Sequence, residues 1–191
     1  MTKAAPQLRM VVTHLEMKAR PAQPTLPAPR RTALLRAEQP TLSFYRYLYN
    51  TIGERWLWYE RRAMDDAALA SIIHDPGTEI YVLYSGGVPA GYAELNRRAK
   101  KEIELAYFGL MPEFIGQGLG RYFLSWAVNC AWAYEPERLW VSTNNFDHPR
   151  ALQSYQRAGF APYHQEVLIF DDPRASGLIP SHVPVPESAL I

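Results

Sequence analysis

The segment Leu110-Met111-Pro112-Glu113-Phe114-Ile115-Gly116-Gln117-Gly118-Leu119-Gly120-Arg121 constrains this chain more than any other. Its three glycines, at alternate positions, leave backbone N–H groups without Cβ cover. The run Glu102 to Leu110 before them alternates as a strand does, and the run Tyr122 to Tyr134 after them reads as a helix. A glycine turn that opens a helix is an anion site. First-turn amides lack intrahelical partners, and the helix dipole favours phosphate oxygens. Spacing narrows the kind of phosphate site. A dinucleotide fingerprint needs a sixth-place glycine in G-x-G-x-x-G, and counting from Gly116 that place holds Arg121. A nucleotide phosphate loop must end in G-K-[ST], which is absent.

Ile115 to Gly120 resembles the pyrophosphate loop of the GNAT acetyltransferases, whose pattern is (Q/R)-x-x-G-x-G/A. It departs at the first place, where Ile115 stands for Gln or Arg. Backbone amides carry most of the phosphate contact, so an apolar side chain there is compatible, and side-chain contact falls to Gln117 or Arg121. A second segment, Ala151-Leu152-Gln153-Ser154-Tyr155-Gln156-Arg157-Ala158-Gly159-Phe160, resembles the family's A-x-x-x-Y-x-x-x-G-F helix. Pro149 suits a first helical turn and Gly159 the left-handed position after a helix end.

The resemblance implies acetyl-CoA as co-substrate and no metal. The loop from Ile115 through Gly116, Gln117, Gly118, Leu119 and Gly120 to Arg121 would hold the pyrophosphate. Phe108, Gly109 and Leu110 would hold the rest of the coenzyme. Gly109 is where the family's strand bulges and parts from its neighbour, so that pantetheine inserts and the Leu110 amide meets the thioester oxygen. Tyr155 would protonate the departing thiolate, a phenol of pKa near ~10 being a usable donor to a thiolate near ~8.5. His148 stands seven residues before it, where the family often has asparagine, and reads as an exposed loop histidine, with a polar role in the asparagine's place left open.

An amine acceptor is mostly protonated at neutral pH, so its transfer chemistry needs a base. By alternation Glu102, Glu104, Ala106, Phe108 and Leu110 share one strand face, and Ile103, Leu105, Tyr107 and Gly109 the other. Glu104, eleven residues before Ile115, matches the general-base glutamate of the family's histone-type branch. Glu94, in the preceding strand Val88 to Leu95, is the understudy base or a substrate clamp.

The acceptor itself is not spelled out. From Phe44 to Tyr59 seven of sixteen residues are aromatic, too many for one helix face. The family's first two helices wall the acceptor site, so Tyr45, Trp56 and Trp58 are candidates to line it. Core packing and a dimer interface are equally open readings.

A chain of 191 residues suits one domain, with a core over 10–170 and an extended, proline-bearing arm over 171–191, lying on this subunit or a neighbour. Net charge of +1 offers no footprint for nucleic acid or membrane. The single cysteine, Cys130, excludes an intrachain disulfide, and with Arg9 and Glu16 interrupting any apolar leader the expected location is cytoplasmic. The expected fold is α/β (α+β), the GNAT fold, with a central mixed, mostly antiparallel sheet flanked by helices. Its order is a strand (10–18), two helices capped at Thr41 and at Asp65 or Asp66, three strands (80–84, 88–95, 102–110), a helix (122–134), a strand (138–142), a helix (151–158) and a strand (166–170). The resulting expectation is an acetyl-CoA-dependent N-acetyltransferase acting on a small-molecule amine, with a homodimer left open. The alternative is a non-catalytic acyl-CoA-binding module.

Overall fold

The structure is a computed structural model that describes residues 6–22 and 24–191. Its elements are β1 (Gln7–Met17), β2 (Thr32–Arg36), α1 (Leu42–Gly53), α2 (Asp66–Ile73), β3 (Thr78–Ser85), β4 (Val88–Asn96), β5 (Glu102–Leu110), α3 (Leu119–Trp132), β6 (Arg138–Asn144), α4 (Ala151–Arg157) and β7 (Ala161–Asp171). The first two helices start on side-chain caps: Thr41 Oγ1 accepts from Phe44 N at 3.3 Å, and Asp65 Oδ1 from Ala68 N at 2.8 Å. Helix α3 starts differently. Gly118, at φ +83°, precedes it, and no side chain caps its first amides.

The strands form one sheet in the order β2-β3-β4-β5-β6-β1-β7, antiparallel except where β5 meets β6. α1 and α2 cover one face, packing Tyr45, Leu48, Tyr49, Ile52 and Leu69 on Ile80, Val82 and Tyr92. α3 and α4 cover the other, around Phe123, Leu124, Val128 and Tyr155.

One element is added to the expected order. β2 is an added edge strand, too short and too weakly patterned to stand out after four prolines, and its pairing with β3 holds it in place. β1 is first in the chain yet lies at the other side of the sheet, between β6 and β7. Its burial changes face midway. Leu8, Met10 and Val12 pack against the C-terminal arm (Ile179, Val183, Ala189), while Leu15 and Met17 point to the opposite face under α3 and α4. The arm therefore lies on this subunit. β7 also begins earlier than expected, at Ala161, because β1 supplies a partner along its length. The extra residue, Tyr163, makes a bulge beside Pro162, which has no N–H to give the ladder.

Candidate active site

β5 and β6 pair only over Glu102–Glu104 and Arg138–Trp140, and beyond those residues the two strands continue without pairing. The gap between them opens into a cleft of about 1140 Å³. Met111 N donates to Ala90 O at 2.9 Å, so the alternate residues Phe108 and Leu110 turn N–H and C=O away from β4 and into the gap. The expected free amide at Leu110 thus has its orientation from the β4–β5 register.

The bulge of β5 lies at Ala106, not at Gly109. Tyr107 pairs with Glu94 and Leu105 with Leu95, leaving Ala106 the extra residue. An extra residue inverts the side-chain alternation beyond it. The expected face of Glu104 with Phe108 and Leu110 is therefore split. Ile103, Leu105, Phe108 and Leu110 face α3, while Tyr107 joins the α1 side, which Glu104 shares. Gly109 serves a close approach instead: a Cβ there would come within 2.4 Å of Ile52 Cγ2.

At the mouth, Gly116 and Gly118 adopt φ +86° and +83°, and a Cβ on either would meet nothing within 4 Å. These glycines front open space, followed by the uncapped start of α3. Arg121 lines the cleft beside them, exposed and in no ion pair among the described residues. Gln117 turns away, its Nε2 donating to Glu113 O at 2.7 Å. A main-chain cradle with one free guanidinium fits a pyrophosphate. The proline connector adds Pro21, Pro24 and Leu26 to the wall, tied by Leu26 N to Ser125 Oγ at 3.2 Å.

Tyr155 lines the wall opposite β5, on α4, with its ring edge-on to Phe160 at 6.0 Å. Burial, then the nearby Asp147 carboxylate, pushes its phenol above the ordinary range, so it stays protonated. Pro149 falls just before the Arg150 N-cap rather than inside the first turn, and Gly159 takes φ +108° as expected. Glu104 lines the cleft and accepts from Asn96 Nδ2 at 2.9 Å. Burial raises its pKa, opposed by that hydrogen bond and by Arg61 and Arg98, with Glu94 adding to the rise.

Two proposed substrate contacts lie behind the wall. Glu94 is 1% exposed, and both its oxygens are taken, by Arg61 Nη2 at 2.8 Å and Tyr45 O–H at 2.6 Å. Tyr45, fully buried, supports that pair instead of touching the cleft. A carboxylate so committed is no clamp and no base. Trp56 and Trp58 do line the cleft. Leu57 between them takes φ +54°, rare for a non-glycine residue, and drops into the core beneath the arm. The aromatic segment is thus divided: Tyr45 and Tyr49 in the core, Trp56 and Trp58 on the cleft, Tyr59 stacked on Phe170, and Tyr47 exposed.

Two further wall residues, Asp147 and Glu60, escaped the sequence reading, and a third was read differently. His148 is not a free loop side chain. It meets Trp56 at 5.5 Å and accepts Arg150 N on Nδ1, and burial, then Arg150 and Arg55, lowers its pKa. Asp147 accepts from Thr143 Oγ1 (2.8 Å) and Asn144 N (3.0 Å), its pKa raised by burial against those bonds and the neighbouring Trp58. Glu60 accepts from Tyr49 O–H at 3.1 Å. Only its place two residues after Trp58 could have pointed to it.

Residues 42–160 match the acetyltransferase (GNAT) family. The chain belongs to that family. Its fold is shared with solved GNAT structures at low identity. A GCN5-related N-acetyltransferase from Kribbella flavida is 17% identical with TM-score 0.52, over 90% of this chain and 59% of that one. A tandem GNAT protein from the clavulanic acid biosynthesis pathway is 16% identical with TM-score 0.58, over 88% and 54%. An aminoglycoside acetyltransferase from an uncultured soil metagenomic sample is 12% identical with TM-score 0.58, over 74% and 96%. The chain spans little more than half of the first two. No curated protein matches it. Among the described residues, no helix is long and apolar enough to cross a membrane.

Proposed function

We propose that this GNAT protein transfers an acetyl group from acetyl-CoA to a primary amine by direct attack, with no covalent enzyme intermediate. The observation that carries the reading is the bulge at Ala106. It sets Glu104 on the α1 side of the gap, while Phe108, Leu110 and Tyr155 belong to the α3 and α4 side. A base and an acid thus stand on opposite sides of one opening, as transfer from a thiol to an amine requires.

Acetyl-CoA, when bound, supplies the acyl thioester. The residues from Ile115 to Arg121 hold its pyrophosphate through the free amides of α3 and the Arg121 guanidinium. The Leu110 amide donates to the carbonyl oxygen as charge develops there. Glu104, oriented by Asn96, takes the proton from the acceptor nitrogen, directly or through a water. Tyr155, kept neutral by burial, delivers a proton to sulfur. The aromatic rings of Trp56 and Trp58 give the acceptor an apolar wall that also attracts ammonium groups.

A thiol-release assay with acetyl-CoA against a panel of amines tests the reading. Release that depends on the amine and is lost in Tyr155→Phe is the expected result. Tight coenzyme A binding with no release from any amine would leave the chain a binding module.

A further inference from the structure

The acceptor end of the cleft gathers three carboxylates, Glu60, Glu104 and Asp147, around two aromatic rings. Trp58 and Tyr107 lie with ring centroids 5.1 Å apart. Asp147 lies close to Trp58. Glu60 takes the Tyr49 hydroxyl, and Tyr49 meets the edge of Tyr107 at 5.0 Å. Glu104 lies on the Tyr107 face of β5, two register steps away once the bulge is discounted, or about 7 Å along the strand. Both rings and all three carboxylates line the one cleft.

None of the three carboxylates has an ion-pair partner among the described residues. Arg61, over the Tyr107 ring at 5.4 Å, spends its charge on Glu94. Arg98 is held on Asn96 Oδ1 at 2.9 Å and faces solvent. Glu104 and Asp147, partly withdrawn from water without an ion pair, carry a desolvation cost that a bound cation relieves, while Glu60 beside them is exposed and open to a ligand. We infer that the acceptor is a dication, an amine with a second ammonium group, whose reacting nitrogen faces Glu104 while its second charge is held by Glu60 and Asp147 against Trp58 and Tyr107. This inference rests on the acetyltransferase reading of the cleft. The raised pKa values of Glu104 and Asp147 agree with it, since a ligand cation would favour their ionised forms. A carboxylate-bearing amine would have to seek Arg55 and Arg150 by Trp56 and His148, and would meet like charge at Glu60 and Asp147.

Three amines of equal chain length separate these cases: putrescine, n-butylamine and γ-aminobutyrate, titrated on the tryptophan fluorescence of the coenzyme A-saturated protein. Putrescine should bind about tenfold more tightly than n-butylamine, as for one added charged hydrogen bond. The advantage should shrink with salt, and γ-aminobutyrate should bind weakest. Glu60→Gln should bring the putrescine preference toward unity, and so should Asp147→Asn, with the melting temperature reporting that each variant folds. Equal binding of putrescine and n-butylamine, or a preference for γ-aminobutyrate, overturns the inference. Thiol release on the same panel keeps the two readings apart. Selective putrescine binding with no release sinks the transferase reading and still supports the charge selection. Release without selectivity does the reverse.

Discussion

The two ends of the cleft are made of different material. At the proposed coenzyme end the lining groups are mostly main chain: the amides after Gly116 and Gly118, the uncapped start of α3, and the outward N–H of Leu110, with Arg121 beside them. At the proposed acceptor end they are side chains drawn from distant segments, Trp58 and Glu60 before α2, Glu104 on β5, and Asp147 after β6. A main-chain site depends on where a Cβ is absent and would tolerate drift in the other side chains, Ile115 among them. A side-chain site depends on each group separately, so it can change acceptor without disturbing the coenzyme. Substitutions at the two ends should therefore fail in different ways.

The largest effect should come from Trp58→Ala, which tests whether the acceptor wall is also structure. A Cβ at Gly53 would fall 2.5 Å from Trp58, so the end of α1 is thinned to seat this tryptophan. It also packs on Tyr49, Tyr92 and Tyr107. Truncation should cost about 3 kcal/mol in denaturant unfolding as well as raising the acceptor KM. Unchanged stability with a raised KM would make the acceptor end a pure surface and sharpen the contrast. Trp56→Ala, which lacks such seating, should raise KM alone.

Next comes Tyr155→Phe, which keeps the ring and removes the proton. Turnover should fall ~100-fold, about 2.7 kcal/mol in the barrier, with coenzyme A affinity near wild type. An equal fall in coenzyme affinity would make Tyr155 part of the coenzyme cradle and blur the division. Gly118→Val tests the main-chain end directly. It puts a branched side chain at φ +83° where phosphate must approach, at a strain of ~1–3 kcal/mol. The rise in Tm that coenzyme A gives the wild type should vanish while the variant still melts cooperatively. A wild-type shift in this variant would place the coenzyme elsewhere.

The same contrast explains what the sequence made legible. Gly118, Gly120 and Gly159 stand at fixed spacings because they serve local backbone geometry, Tyr155 sits on the short helix that Gly159 follows, and fixed spacings can be read from one chain. Glu104 was reachable by counting back from the loop. Its face was not, because a bulge at Ala106 has no signature among Leu105, Ala106 and Tyr107, and the simple alternation then puts the wrong residues together. Glu94 and Glu104 look alike as strand glutamates. Only the approach of Arg61 and Tyr45, from a different part of the chain, shows that one is locked and the other is not. The place of β1 between β6 and β7 is likewise a matter of long-range pairing, on which its own hydrophobic pattern is silent.

The smallest effect is also the most diagnostic of the base. Burial raises the pKa of Glu104, so the folded chain holds that proton more tightly than the unfolded chain does. The sign follows from linkage. The group favours the folded state below its unfolded pKa, and that contribution is lost as pH rises through the higher folded value. At pH 8 the ionised, half-desolvated carboxylate is thus a burden on the fold, and Glu104→Gln should lift Tm by roughly 1–3 °C there. At acid pH, where wild-type Glu104 is protonated, the gain should disappear. Turnover should move the opposite way. The wild-type rate should climb as pH rises through the raised pKa, and the variant should lose that limb while retaining coenzyme A binding. A variant both more stable and slower would identify Glu104 as a carboxylate kept partly desolvated for proton transfer. A variant less stable at pH 8 would mean that Asn96 and Arg98 outweigh burial and that the ionised group is structural. The base role would then pass to a water chain at the acceptor end.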